Sequence, residues 1–170
     1  MTDDKIITDR EEMLEAVRWN KLAFKFTNDI LKADREIVLE ALKYFGSHLE
    51  YVSDSLKSDS EVVLEAVKIN GLALEFADDT YKADREIVFE AIQNIGWALQ
   101  YASDTLKADR EIVLEAVNSS GPALKFASEE LQNDPELKKL AEGESKLVKP
   151  SLTDKVSVYR KFVSSLFCLG

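Results

Sequence analysis

Aspartate returns every 25 residues along this chain, at Asp9, Asp34, Asp59, Asp84 and Asp109, and a decayed sixth copy opens at Asp134. A period held this strictly means a repeat array, in which each copy is one small unit and neighbouring units stack. The third position of every copy is glutamate: Glu11, Glu36, Glu61, Glu86, Glu111 and Glu136. Aspartate at an N-cap accepts hydrogen bonds from free first-turn amides, and a glutamate just inside complements the positive end of the helix dipole. Each copy therefore begins with a helix. Its apolar positions, Ile37, Val38, Leu39, Ala41 and Leu42, echoed by Ile112, Val113, Leu114, Ala116 and Val117, fall mostly on one face, opposite Glu36, Glu40 and Lys43.

A glycine column, Gly46, Gly71, Gly96 and Gly121, predicts a left-handed C-terminal cap for this helix, with Lys21 breaking the column in copy one. Pro122 marks the first turn of a second helix, about two turns long, because proline lacks only an amide that is unpaired there anyway. The second helix carries Ala98, Leu99, Tyr101 and Ala102, repeated as Ala123, Leu124, Phe126 and Ala127. An acid closes it, Asp29, Asp54, Asp79, Asp104 or Glu130, where the dipole disfavours negative charge. A local partner is expected: either the following turn or an ion pair with Arg35, Arg85 or Arg110. One anchor per copy, Leu31, Leu56, Tyr81, Leu106 or Leu131, folds the connection back onto the core.

One copy has too few apolar side chains to offset the entropy of ordering it, so stacked neighbours must complete its core. The expected fold is all-α: an α-solenoid of short helix-turn-helix repeats with a 25-residue period, plus a C-terminal amphipathic helix. Residues 1–8 read as a lead-in, 9–143 as the array, 144–150 as a connector and 151–170 as the final helix. Copy one departs most from the pattern, with Glu12, Lys21 and Thr27 at usually apolar or glycine positions, as suits a capping repeat.

The unit D-R-E-I-V-L-E-A-V followed by G-x-A-L-x-F/Y-A-S-D-x-L-K-A, over roughly residues 9–133, resembles the repeats of the family DUF4116, a domain of unknown function. The resemblance implies tandem short helical repeats and a setting in protists or in intracellular bacteria of amoebae. For a bacterial member it implies an effector delivered into a host cell, and the end Val163-Ser164-Ser165-Leu166-Phe167 is similar to loose C-terminal translocation signals. It brings no catalytic residues.

Composition narrows the partners. The tail from 144 onward holds Lys146, Lys149, Lys155, Arg160 and Lys161 against Glu144 and Asp154, so it is +3 and the remainder carries −13 of the net −10. A surface this acidic repels phosphate backbones, which argues against nucleic acid and for a protein or peptide partner, a basic one above all. The lone cysteine, Cys168, excludes a disulfide framework and favours a reducing compartment, the cytoplasm or a host's cytosol. It stands third from the end, not fourth as prenylation requires. In the tail the helical spacing returns with Val156, Tyr159, Val163, Leu166 and Phe167 after a capping-box start at Ser151. Two roles fit it: closing the open end of the array, or contacting a membrane surface through Lys155, Tyr159, Arg160, Lys161, Phe162, Leu166 and Phe167.

The freest columns, the end of the first helix and the start of the second, supply the candidate binding edge: Trp19, Tyr44, Leu72 and Trp97. The alternative is that these residues merely pack against the next copy. His48, the only histidine, replaces the alanine of Ala23, Ala73, Ala98 and Ala123 and reads as a packing substitution, since it has no second His or Cys in the array to make a metal or nucleophilic site. A calcium ladder through Asp78, Asp79 and Asp84 lacks EF-hand spacing. No cofactor, metal or catalytic residue is expected. The expected function is a non-enzymatic protein-interaction scaffold. Its alternative is a peripheral membrane adaptor held by the C-terminal helix, and an enzyme working through the acidic rows is the outside reading.

Overall fold

The computed structural model describes residues 7–20 and 22–143. The connector, the C-terminal amphipathic helix with Lys155 to Phe167, Cys168 and Lys21 lie outside the described residues.

The long helices form where the aspartates predict: Arg10–Trp19, Arg35–Leu42, Ser60–Ile69, Arg85–Asn94, Arg110–Ser119 and Pro135–Ala141. From copy two onward one carboxylate oxygen of the cap accepts two amides, as Asp59 does from Glu61 and Val62 at 3.0 and 3.2 Å. These helices lie side by side as one layer, and their buried faces (Ile37, Val38, Ala41 and Leu42; then Val62, Val63, Ala66 and Val67, and so on) form one continuous core.

The second element is not an α-helix. It is a 3₁₀ helix, Gly46–Tyr51, Gly71–Phe76, Gly96–Tyr101 and Gly121–Phe126, shortened to Ala23–Phe26 in copy one. Six residues are too few to recover the cost of nucleating an α-helix, and the 3₁₀ form gains length at about 2.0 Å per residue. These segments stack on one another as a second layer, burying Ala73 and Leu74 or Ala98 and Leu99 against the long helices.

The glycine column does not cap the long helix by a left-handed turn. Gly143, at φ 87°, is the sole residue with positive φ among those described. The long helix ends instead on an extended residue, Asn70, Ile95 or Ser120, whose amide still reaches the alanine carbonyl four residues back. Glycine is needed for close approach. A Cβ on Gly46, Gly71, Gly96 or Gly121 would stand 2.2–2.5 Å from the carbonyl oxygen of Ala66, Ala91, Ala116 or Ala141 in the next copy. The glycine and alanine columns are the two sides of one tight contact.

A third element, absent from the expected hairpin, completes copies two to five: a one-turn helix at Asp54–Lys57, Asp79–Lys82, Asp104–Lys107 and Glu129–Gln132, with the 3₁₀ turn Leu31–Ala33 in its place in copy one. The acids expected to close the second helix open this one instead, where the dipole favours them. In copies two to four the acid pairs with the lysine three residues on, Asp54 with Lys57 at 3.5 Å and Asp79 with Lys82 at 3.0 Å. In copy five the place belongs to Glu129, not Glu130. Just before it, a backbone rung ties each copy to the one before: the amides of Ser53, Asp78, Ser103 and Ser128 donate to the carbonyls of Lys32, Lys57, Lys82 and Lys107 at 2.8–3.3 Å.

Candidate interaction surface

Arg35, Arg85 and Arg110 do not serve the acids expected to bind them. Together with Arg10 they reach forward to the cap of the next copy, forming a ladder along the outside of the long-helix layer. Arg10 Nε donates to Asp34 at 2.7 Å while its Nη2 bonds Glu36. Arg35 bridges Asp59, at 3.1 Å, and Glu61 in the same way. Arg85 holds Asp109 and Glu111, and Arg110 holds Asp134 and Glu136. Burial alone would raise the Asp34 carboxyl, but the Arg10 hydrogen bond and the amides of Ile37 and Glu36 outweigh it and hold the group below the usual aspartate value. Ser60 interrupts the ladder. No arginine stands before Asp84 and Glu86, and Asp84 is exposed where the four cap aspartates held by an arginine, Asp34, Asp59, Asp109 and Asp134, are half-buried.

The four edge residues lie one per copy, at the seam between the two layers, and differ in freedom. Trp19 is 90% exposed. Tyr44 and Leu72 are half-buried. Trp97 is held: its indole N–H donates to Ser120 Oγ at 2.9 Å, its ring meets Phe126 edge-on at 5.5 Å, and Lys125 Nζ sits 4.2 Å from its centroid. Stacking and cation–π contact thus join copies four and five through a tryptophan that remains 37% exposed. The neighbouring column also bridges copies. Asn94 accepts the Gly71 amide and donates to the Lys68 carbonyl, both at 2.9 Å, and Ser119 Oγ accepts the Gly96 amide at 3.1 Å. Much of the sequence variation along this edge therefore tunes the junctions between copies.

Copy one carries exposed apolar side chains that the edge columns alone do not reveal. Besides Trp19, Ile30 is 79% exposed, Leu22 56% and Phe26 45%. Ile30 had a signal, because its column reads Ser55, Thr80, Thr105 and Glu130 in the other copies. Phe26 had none, since its column is aromatic throughout.

His48 is 4% exposed, and its Nδ1 has no hydrogen-bond partner. Rings of Phe45, Phe24 and Tyr51 surround it at 5.1, 5.8 and 6.1 Å. Burial pushes its pKa below the ordinary value of 6.5. It fills the junction between copies one and two with an aromatic box where interior junctions use alanine. Among the described residues, no three His, Cys, Asp or Glu side chains gather to hold a metal ion, and Asp78 instead caps its helix by accepting the Thr80 amide at 2.9 Å.

Matches to the family described as Domain of unknown function (DUF4116) cover residues 9–57, 34–82, 84–132 and 109–141, three of these spans enclosing nearly two whole copies each. Comparison with curated proteins and with solved structures finds no match.

Proposed function

The chain belongs to the DUF4116 family, which supplies the repeat architecture and no activity, and from that premise we propose that it is a non-enzymatic scaffold holding a protein or peptide partner. The observation carrying this reading is the exposed apolar set of copy one, Trp19, Leu22, Phe26 and Ile30, on an array whose other copies carry mostly polar or half-buried residues at these positions. Large apolar side chains gathered at the surface of a folded domain mark interaction sites, and tryptophan is prominent among the residues that anchor interfaces. Trp97 extends the surface along the seam. The net −13 outside the tail selects a partner whose apolar anchors are flanked by basic residues.

The test is affinity capture from cell lysate and in-cell proximity labelling with the whole chain, a Trp19→Ala/Ile30→Ser variant and a Trp97→Ala variant, each with an unchanged circular-dichroism spectrum and melting curve. A partner kept by the wild type and lost from the copy-one variant supports the reading. If both folded variants keep every partner of the wild type, the surface is not the binding site and the scaffold reading fails.

A further inference from the structure

We infer that residues 151–167 of this same chain fold back onto the far end of the array and occupy the place where a sixth second-layer segment would sit. In the interior, each 3₁₀ segment is covered by that of the following copy. Gly121–Phe126 of copy five has no successor among the described residues, where copy six contributes only its long helix. The result is a groove of about 420 Å³ with an apolar floor of Pro122, Leu124 and Ala141, walled by Lys125, Lys138 and Glu142. Burial registers the missing cover. Leu124 keeps 9% exposure where Leu49, Leu74 and Leu99 have none, and Gly121 is half-buried where Gly46, Gly71 and Gly96 are buried.

The regular continuation cannot fill this groove. In register, Lys146 would fall in the glycine column, and Val148-Lys149 in the Ala-Leu columns, placing an ammonium where four leucines are buried. The next apolar residues at helical spacing are Val156, Tyr159, Val163, Leu166 and Phe167, and they make a stripe that can cover the floor. The chain leaves the array at the groove itself. Glu142 lines it, Gly143 turns the backbone with φ 87°, and residues 144–150 come next. Fully extended, that connector reaches up to about 24 Å, ample for a return to a wall it has just left. Tethering on a short connector also gives this segment a local concentration that a separate molecule does not match.

Cys168, next to the last residue of the stripe, is the chain's single cysteine and provides the test. In the full chain, Lys125→Cys and Lys138→Cys place a thiol on the groove, and Lys68→Cys places one on copy three, away from it. Under mild oxidation the two groove variants form an intramolecular disulfide with Cys168 about tenfold faster than the copy-three variant, because docking raises the local thiol concentration. Adding Val163→Asp removes that advantage. Disulfide-linked dimers as the main product would assign the groove to a second copy and overturn the inference. So would equal rates at groove and copy three, or a groove rate that Val163→Asp leaves unchanged.

Discussion

The junction between copies one and two and the junctions inside the array bury the same columns by different means. Inside, small residues do it: the glycine of one copy meets the alanine carbonyl of the next, and alanine lies beside leucine in the second layer. At the first junction, Phe24 and His48 replace Leu and Ala, and Phe45 and Tyr51 close an aromatic box around the imidazole. The interior repeats one solution because each copy sees an identical neighbour on both sides. Among the described residues copy one packs against another copy on one side alone, so its outward residues are released from the packing constraint, and these are the ones carrying the exposed tryptophan and isoleucine.

The comparison breaks most visibly by truncation. Leu74→Ala, at a fully buried interior position, should lower stability by about 3–4 kcal/mol in urea unfolding followed by circular dichroism. Leu22→Ala in copy one should stay within about 0.5 kcal/mol of the wild type; a comparable loss there would mean that the end is packed like the interior. Next comes the close approach. Gly71→Ala sets a methyl 2.2 Å from the Ala91 carbonyl, so copies three and four must part, at about 2 kcal/mol by the same assay.

A smaller effect is specific to the first junction and depends on pH. Above its ordinary pKa of 6.5, His48 is neutral in the folded and unfolded chain alike and ionisation contributes nothing. Below that value the unfolded chain takes up a proton that the buried ring resists, so stability falls with pH until the lowered folded pKa is passed. The loss at pH 5.5 should be at most about 1.4 kcal/mol, and His48→Ala should be flat between pH 7.5 and 5.5. The cap carboxylates do not interfere. Asp34, Asp59, Asp109 and Asp134 are held below 3.8, so the stability they contribute is present above that pH and is lost as the pH falls further, through their folded values. A pH-dependent His48→Ala variant would place the acid sensitivity elsewhere.

The smallest effect repairs the gap in the arginine ladder. Ser60→Arg should restore the missing rung to Asp84 and Glu86 and stabilise by about 0.5 kcal/mol at low salt. The gain should vanish in 1 M salt, where exposed pairs are screened; a salt-independent gain would trace to helix propensity instead.

The legible part of this molecule is what each copy states within its own 25 residues. The cap aspartates, the one-sided apolar face and the stacked array follow from local hydrogen bonding and periodicity, and the structure keeps them. The candidate edge was legible only as a variable column. That Trp97 is clasped by Ser120, Phe126 and Lys125 while Trp19 stands free depends on residues one copy away. Phe26 reads in sequence like every other aromatic of its column, and its greater exposure belongs to the first copy, which has no preceding copy against it among the described residues.

The sequence by itself determined the period, the start of every long helix and the identity of the buried columns, because caps and hydrophobic faces are decided by contacts a few residues apart. Tertiary structure alone decided the rest. It made the glycine column a site of contact between copies rather than a helix cap, drew the second element out as a 3₁₀ helix, and turned the acids after it into the start of a third helix. It also sent the arginines forward to the next copy's caps. The glycine contact, the backbone rung and the arginine ladder are settled by atoms about 20 to 26 residues away, and a single copy read alone does not contain them.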